Sequence, residues 1–112
     1  MSDAPIDLAQ LARYTGGDRV LNAEILRPFD GQVSEMVGQL LGVLEQRDGR
    51  KWREVTHTIK GAARGIGAFA MGEAAAEPVD PATNRDRAVE VIEALRVEGD
   101  AVQAFIADYL AA

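Results

Sequence analysis

At 112 residues, with 47% apolar content and no cysteine, the chain suits one modest core and is too apolar for a disordered segment. A net charge of −6 argues against nucleic-acid binding, the lack of cysteine excludes disulfides and thiolate chemistry, and no stretch approaches the roughly eighteen apolar residues of a membrane span. A single domain over residues 1–112 is expected, and the acidic, non-apolar start Met1-Ser2-Asp3-Ala4-Pro5 is unlike a signal peptide, so a cytoplasmic location is expected too.

Every long segment carries helical rather than alternating spacing. Asp7 to Tyr14 reads as a short amphipathic helix, with Leu8 and Leu11 inward and Pro5 tolerated near its start. Gly16-Gly17 breaks it, and Asp18 is the expected N-cap of the next helix. That second helix is expected over Asp18 to Gln46, with an apolar stripe of Leu21, Ile25, Phe29, Val33, Met36, Leu40 and Leu44, widened by Val37 and Leu41. Pro28 should kink or divide it. Gly38 and Gly42, four apart, are read as a point where a neighbouring helix comes close.

Asp48-Gly49 is the expected turn into a third helix, Arg50 to Gly65, which Gly65 and Gly67 end. A small fourth helix over Ala68 to Glu77 offers Phe69, Ala70, Ala74 and Ala76 for tight packing. Pro78 and Pro81 then enforce a loop. Thr83 with Asp86 reads as a capping box for the last helix, Asn84 to Leu110, with Val91, Leu95, Val102, Ile106 and Tyr109 or Leu110 inward and Gly99 as a weak point. Short links between long helices predict an all-α fold: an antiparallel up-and-down four-helix bundle with a short extra N-terminal helix.

Charge is unevenly spread. Positions 47–64 hold Arg47, Arg50, Lys51, Arg53, Lys60 and Arg64 against Asp48 and Glu54, while the remainder carries six bases against sixteen acids. Such a strip is either a solvated helix face or a patch that attracts an acidic partner or a phosphate. The only histidine, His57, lies within it. On the third helix, Trp52, Val55, Ile59, Ala63 and Ile66 share one face. His57 falls nearly opposite, with Arg53, Lys60, Gly61 and Arg64.

A lone histidine is ordinarily a surface residue or a satisfied one near the core. A metal site needs about three or four ligands, and Glu54 is the only ligand type near His57. A hydrolytic triad lacks a nucleophile, since neither Ser2 nor Ser34 has a nucleophile-elbow setting. Walker A and GxGxxG spacings are absent, so autonomous kinase activity has no candidate site. Nucleophilic attack by histidine on phosphorus remains. Cations stabilise the resulting phosphohistidine. Lys60, one turn along, is placed for that role, with Arg53 and Arg64 at longer reach, and Gly61 leaves a gap for a partner. The metal such chemistry needs would come with the partner.

His57-Thr58-Ile59-Lys60-Gly61 followed by Gly67 resembles the His-x-x-Lys-Gly…Gly signature of histidine-containing phosphotransfer (HPt) domains. The Gly16-Gly17-Asp18 start of the second helix and the five-helix layout are similar too, so the resemblance spans essentially the whole chain. It implies a monomeric module of a multistep two-component phosphorelay that takes a phosphoryl group from a receiver-domain aspartate and passes it to another. His57 would be the phosphoacceptor, Lys60 would assist the phosphoryl group, Gly61 would give clearance and Gly67 would serve the turn after the third helix. The partners would be receiver domains of response regulators and hybrid histidine kinases, packing against the second and third helices and carrying the Mg²⁺. The chain itself would need no cofactor, and Arg53 and Arg64 would lie in the docking patch. Ile59 in place of leucine, Arg64-Gly65, Pro78 and Pro28 depart from the family pattern and bear on which partner docks. The alternative reading is a non-catalytic helical interaction module with a basic docking face.

Overall fold

The structure is a computed structural model that describes residues 4–112; the first three positions of the acidic start, Ser2 among them, lie outside the described residues. It is all-helical: α1 Leu8–Thr15, α2 Arg19–Gln46, α3 Gly49–Gly65, α4 Phe69–Ala76 and α5 Arg85–Ala111. No strand occurs among the described residues, and no described helix is long and apolar enough to cross a membrane. Each helix of the long set starts on a side-chain cap. Asp18 accepts from the N–H groups of Val20 and Leu21, Asp48 from Lys51 and Asn84 from Arg87. Asn84, rather than the expected Thr83, caps α5; the Thr83 hydroxyl instead donates to the Asp80 carbonyl at 3.4 Å.

α2 packs on α3 and α5, and α4 packs on the same two helices, so these four close a ring; α1 lies chiefly on α2. One apolar cluster draws Leu11, Leu26, Leu40, Trp52, Ile59, Met71, Leu95 and Ile106 into this ring. The amphipathic pattern of α3 holds in full, with Trp52, Val55, Ile59, Ala63 and Ile66 all buried. The inward set of α5 is also as expected, joined by Ala88, Ile92 and Gly99.

Several expected details differ. Leu8 is exposed, and Ile6, just before the Asp7 N-cap, enters the core with Leu11 in the positions of a hydrophobic staple. On α2, Leu21 and Ile25 are exposed while Asn22 and Leu26 are buried. Leu41, expected to widen the stripe, is exposed too. Asn22 tolerates burial because both of its amide atoms are bonded: Thr15 donates to its Oδ1 at 2.6 Å and its Nδ2 donates to the Tyr109 hydroxyl at 3.0 Å. α2 runs undivided through Pro28, which is exposed.

Gly38 and Gly42 are exposed, and a Cβ on either would meet nothing within 4 Å, so no helix approaches there. The close approaches occur at Gly72 and Gly99 instead, where a Cβ would stand 2.9 Å from Arg64 Cγ and 2.8 Å from Val33 Cγ1. On α4 the inward face is Met71, Gly72 and Ala75; Phe69, Ala70 and Ala76 are exposed. The α2–α3 turn is made by Arg47, in the left-handed region at φ 54°, and Gly49 is already the first residue of α3.

Candidate functional site

The site is built on α3. Its polar β-branched residues are held without breaking the helix: Thr56 donates to the Trp52 carbonyl at 2.9 Å and Thr58 to the Glu54 carbonyl at 3.0 Å. The helix ends in a Schellman arrangement. The Ala68 N–H reaches the Ala63 carbonyl at 2.8 Å, the Gly67 N–H reaches the Arg64 carbonyl at 3.2 Å, and Ala63 and Ala68 are both fully buried. Gly67 takes the left-handed position at φ +86°, so its place in the turn is fixed by backbone geometry.

His57 is exposed on this rigid helix, opposite the Trp52–Ile66 stripe. Successive residues turn by about 100°, which places His57 on a ridge between two flanks. Arg53, Lys60 and Arg64 fall toward α4, whereas Glu54, Thr58 and Gly61 fall toward α2. Three cations thus stand on the α4 side of the imidazole, while Lys51 lies on the α2 side beside Glu54. None of Arg53, Lys60 and Arg64 has an ion pair among the described residues, while Arg50, one turn before Glu54, is paired with it at 3.5 Å.

His57, Arg53 and Lys60 line one groove of about 440 Å³. Trp52, Thr56 and Ala75 also line it, and its far wall is the α4–α5 connection, Glu77 to Asp80. Arg64 is not brought into this groove. Its stem crosses α4 at Gly72, whose missing side chain makes the room. Gly61 is exposed, and a Cβ there would meet nothing within 4 Å, so the fold itself has no need of glycine at that position. The same openness holds at Gly31, Gly38, Gly42 and Gly65; what distinguishes Gly61 is its place one turn after His57.

The far wall was not foreseen in the sequence. Pro78 and Pro81 mark a loop, but which helix that loop faces follows only from the packing of α4 on α3. The wall is held from α5: Arg87 donates from Nε to Glu77 Oε1 at 2.7 Å and pairs with Glu90 as well. Hydrogen bonding to Glu77 first, and then to Glu90, raises the Arg87 guanidinium above its ordinary value. Among the described residues no group of three or more His, Cys, Asp or Glu side chains is placed to hold a metal ion.

Comparison with known protein families, with characterised proteins and with solved structures returned no match.

Proposed function

We propose that the chain is a histidine phosphotransfer protein of a multistep phosphorelay, cycling a phosphoryl group on His57 between receiver-domain aspartates. The observation that carries this reading is an exposed imidazole sharing a groove with Arg53 and Lys60, two cations left without ion-pair partners among the described residues. In the transfer, a lone pair of neutral imidazole forms an N–P bond as the bond from phosphorus to the aspartyl oxygen breaks, and the aspartate leaves as carboxylate. Lys60 offers an N–H donor to the phosphoryl oxygens, and Arg53 adds positive charge along the same flank. The reverse step returns the group to a second receiver. A magnesium ion carried by the receiver would offset the charge of its acyl phosphate. The reading assigns no kinase activity to the chain and sets it in the cytoplasm as a module of residues 1–112.

The ring of α2, α3, α4 and α5, linked in order by short turns or one short loop, supports a four-helix bundle of up-and-down topology with α1 as an added helix. In such a frame His57 gains rigidity without burial, which suits a group that must meet several partners.

The test is direct transfer. Receiver domains carrying radiolabelled phosphate are mixed with the chain, and label is expected on His57 as an acid-labile, base-stable phosphoramidate. His57→Gln should accept none. Wild-type rates of labelling in that variant would remove His57 as acceptor. Failure of the wild-type chain to accept label from a broad receiver panel would leave the interaction-module reading in its place.

A further inference from the structure

We infer that the α2–α5 face docks a second copy of this chain, the two copies meeting around a two-fold axis with α2 antiparallel to α2 and α5 antiparallel to α5. The inference does not rest on the phosphotransfer reading, and it departs from the monomer that the resemblance implies.

The first ground is a groove that the fold leaves open. It encloses about 280 Å³ between α2 and α5, on the flank of α2 turned away from α3. Its floor is apolar, with Val33, Val37 and Leu95 buried, and Leu41 stands exposed on its rim. Gly38 lines it as well. A glycine weakens a helix interior, yet nothing in this chain fills the space beside Gly38 or beside Gly31.

The second ground is charge in a self-complementary order. Residues turn by about 100° each, so Arg27, Gly31, Ser34, Gly38, Leu41 and Glu45 share this flank of α2. In an isologous contact each residue meets its counterpart reflected about one centre. With that centre at residue 36, Arg27 faces Glu45 of the second copy, Leu41 faces the gap at Gly31, and Ser34 faces Gly38. On α5, Arg96 and Asp100 both line the groove and face each other about residue 98. Val33 lies against Gly99, so the two centres stand within a turn of each other and one axis serves both helices.

The third ground is that these charges are little used within the chain. Arg27 and Asp100 have no ion pair among the described residues. Glu45 reaches Arg85 only at 3.9 Å and Arg96 reaches Glu93 only at 3.6 Å. Arg27 and Glu45 cannot pair within one copy, since eighteen residues of helix separate them by about 27 Å, well beyond a screening length of about 8 Å.

His57 is no part of this face. It opens into the groove between α3 and the α4–α5 connection, and the opposite flank of α2, with Met36 and Gln39, stays uncovered. The paired molecule would thus present two His57 sites to solvent.

The experiment is sedimentation equilibrium of the full chain from about 1 µM to about 1 mM, which spans weak specific association. Wild type should pass from monomer to dimer and no further, because an isologous contact closes on itself. Arg27→Glu and Glu45→Arg each set like charges opposite one another at both ends of the contact. Each should raise the dimer Kd about tenfold, the scale of two exposed charge pairs reversed. The double variant Arg27→Glu/Glu45→Arg restores both pairs and should return to within about twofold of wild type. Gly38→Gln fills the gap and should give a monomer that is still helical by circular dichroism. A wild-type chain that stays monomeric throughout, a double variant as weak as the single ones, or wild-type association of Gly38→Gln overturns the inference. Labelling of His57 from receiver domains is a separate measurement and decides the phosphotransfer reading on its own.

Discussion

Asp7 and Gly67 meet backbone to backbone. The Asp7 N–H donates to the Gly67 carbonyl at 2.9 Å, and a Cβ on Gly67 would overlap the Asp7 carbonyl oxygen. Gly67→Ala therefore suffers twice, from a left-handed φ and from the lost room. The expected cost is about 2–4 kcal/mol in urea unfolding. Gly61→Ala should do the reverse, gaining up to about 1 kcal/mol of helix stability while slowing transfer from a receiver. Equal stability of the two variants would undo this distinction between a glycine the fold requires and one it does not.

Lys60→Ala should slow phosphotransfer by roughly tenfold to a hundredfold, the effect of losing a charge-assisted hydrogen bond of about 1.5–3 kcal/mol in the transition state. Its side chain makes no ion pair among the described residues, so the unfolding midpoint should barely move. Stopped-flow labelling together with thermal melting separates the two effects. Transfer at the wild-type rate would take Lys60 out of the mechanism.

Salt offers a third check. The unpaired cations beside His57 act on a partner through solvent, where the screening length falls from about 10 Å at 0.1 M to about 3 Å at 1 M ionic strength. Transfer from a receiver at subsaturating concentration should slow steadily as sodium chloride rises. A flat profile would return Arg53 and Arg64 to the status of a solvated face.

Asn22 links three elements through its amide, accepting from Thr15 and donating to Tyr109. Asn22→Ala removes both bonds and a buried side chain's volume, leaving Thr15 only its bonds within α1 and its turn, and should cost about 1–3 kcal/mol. Tyr109→Phe removes one bond and should cost less, about 0.5–1.5 kcal/mol. Chemical denaturation of both variants checks the order.

Asn22 also explains where the sequence was legible and where it was not. Two stripes run along α2, sharing Phe29, Val33, Leu40 and Leu44 and parting before Phe29 into Leu21–Ile25 or Asn22–Leu26. Hydrophobicity favours the first, but the structure buries the second, because partners from α1 and α5 satisfy the asparagine. On α3 no such competition exists, and the spacing of Trp52, Val55, Ile59, Ala63 and Ile66 gives its buried face correctly. His57, Arg53 and Lys60 follow from that face, being opposite it. Glycine spacing misled at Gly38 and Gly42, since a gap in a side-chain row says nothing of whether a helix lies across it. The wall from Glu77 to Asp80 was beyond reach for a related reason: its nearness to His57 is a tertiary relation over some twenty residues.

The slender attachment of α1 has a consequence for how the molecule breathes. Eight residues are fewer than the roughly 12–15 an isolated helix needs, so α1 depends on Leu11, the Asp7–Gly67 bond and the Thr15–Asn22 bond. Its amides should exchange with solvent by local opening, well before those of α3. That opening loosens the end of the bundle where α3 gives way to α4. His57 lies ten residues upstream of Gly67, about 15 Å along the helix, in a groove to which α1 contributes no side chain. His57 can thus stay in register while the chain's least anchored helix comes and goes.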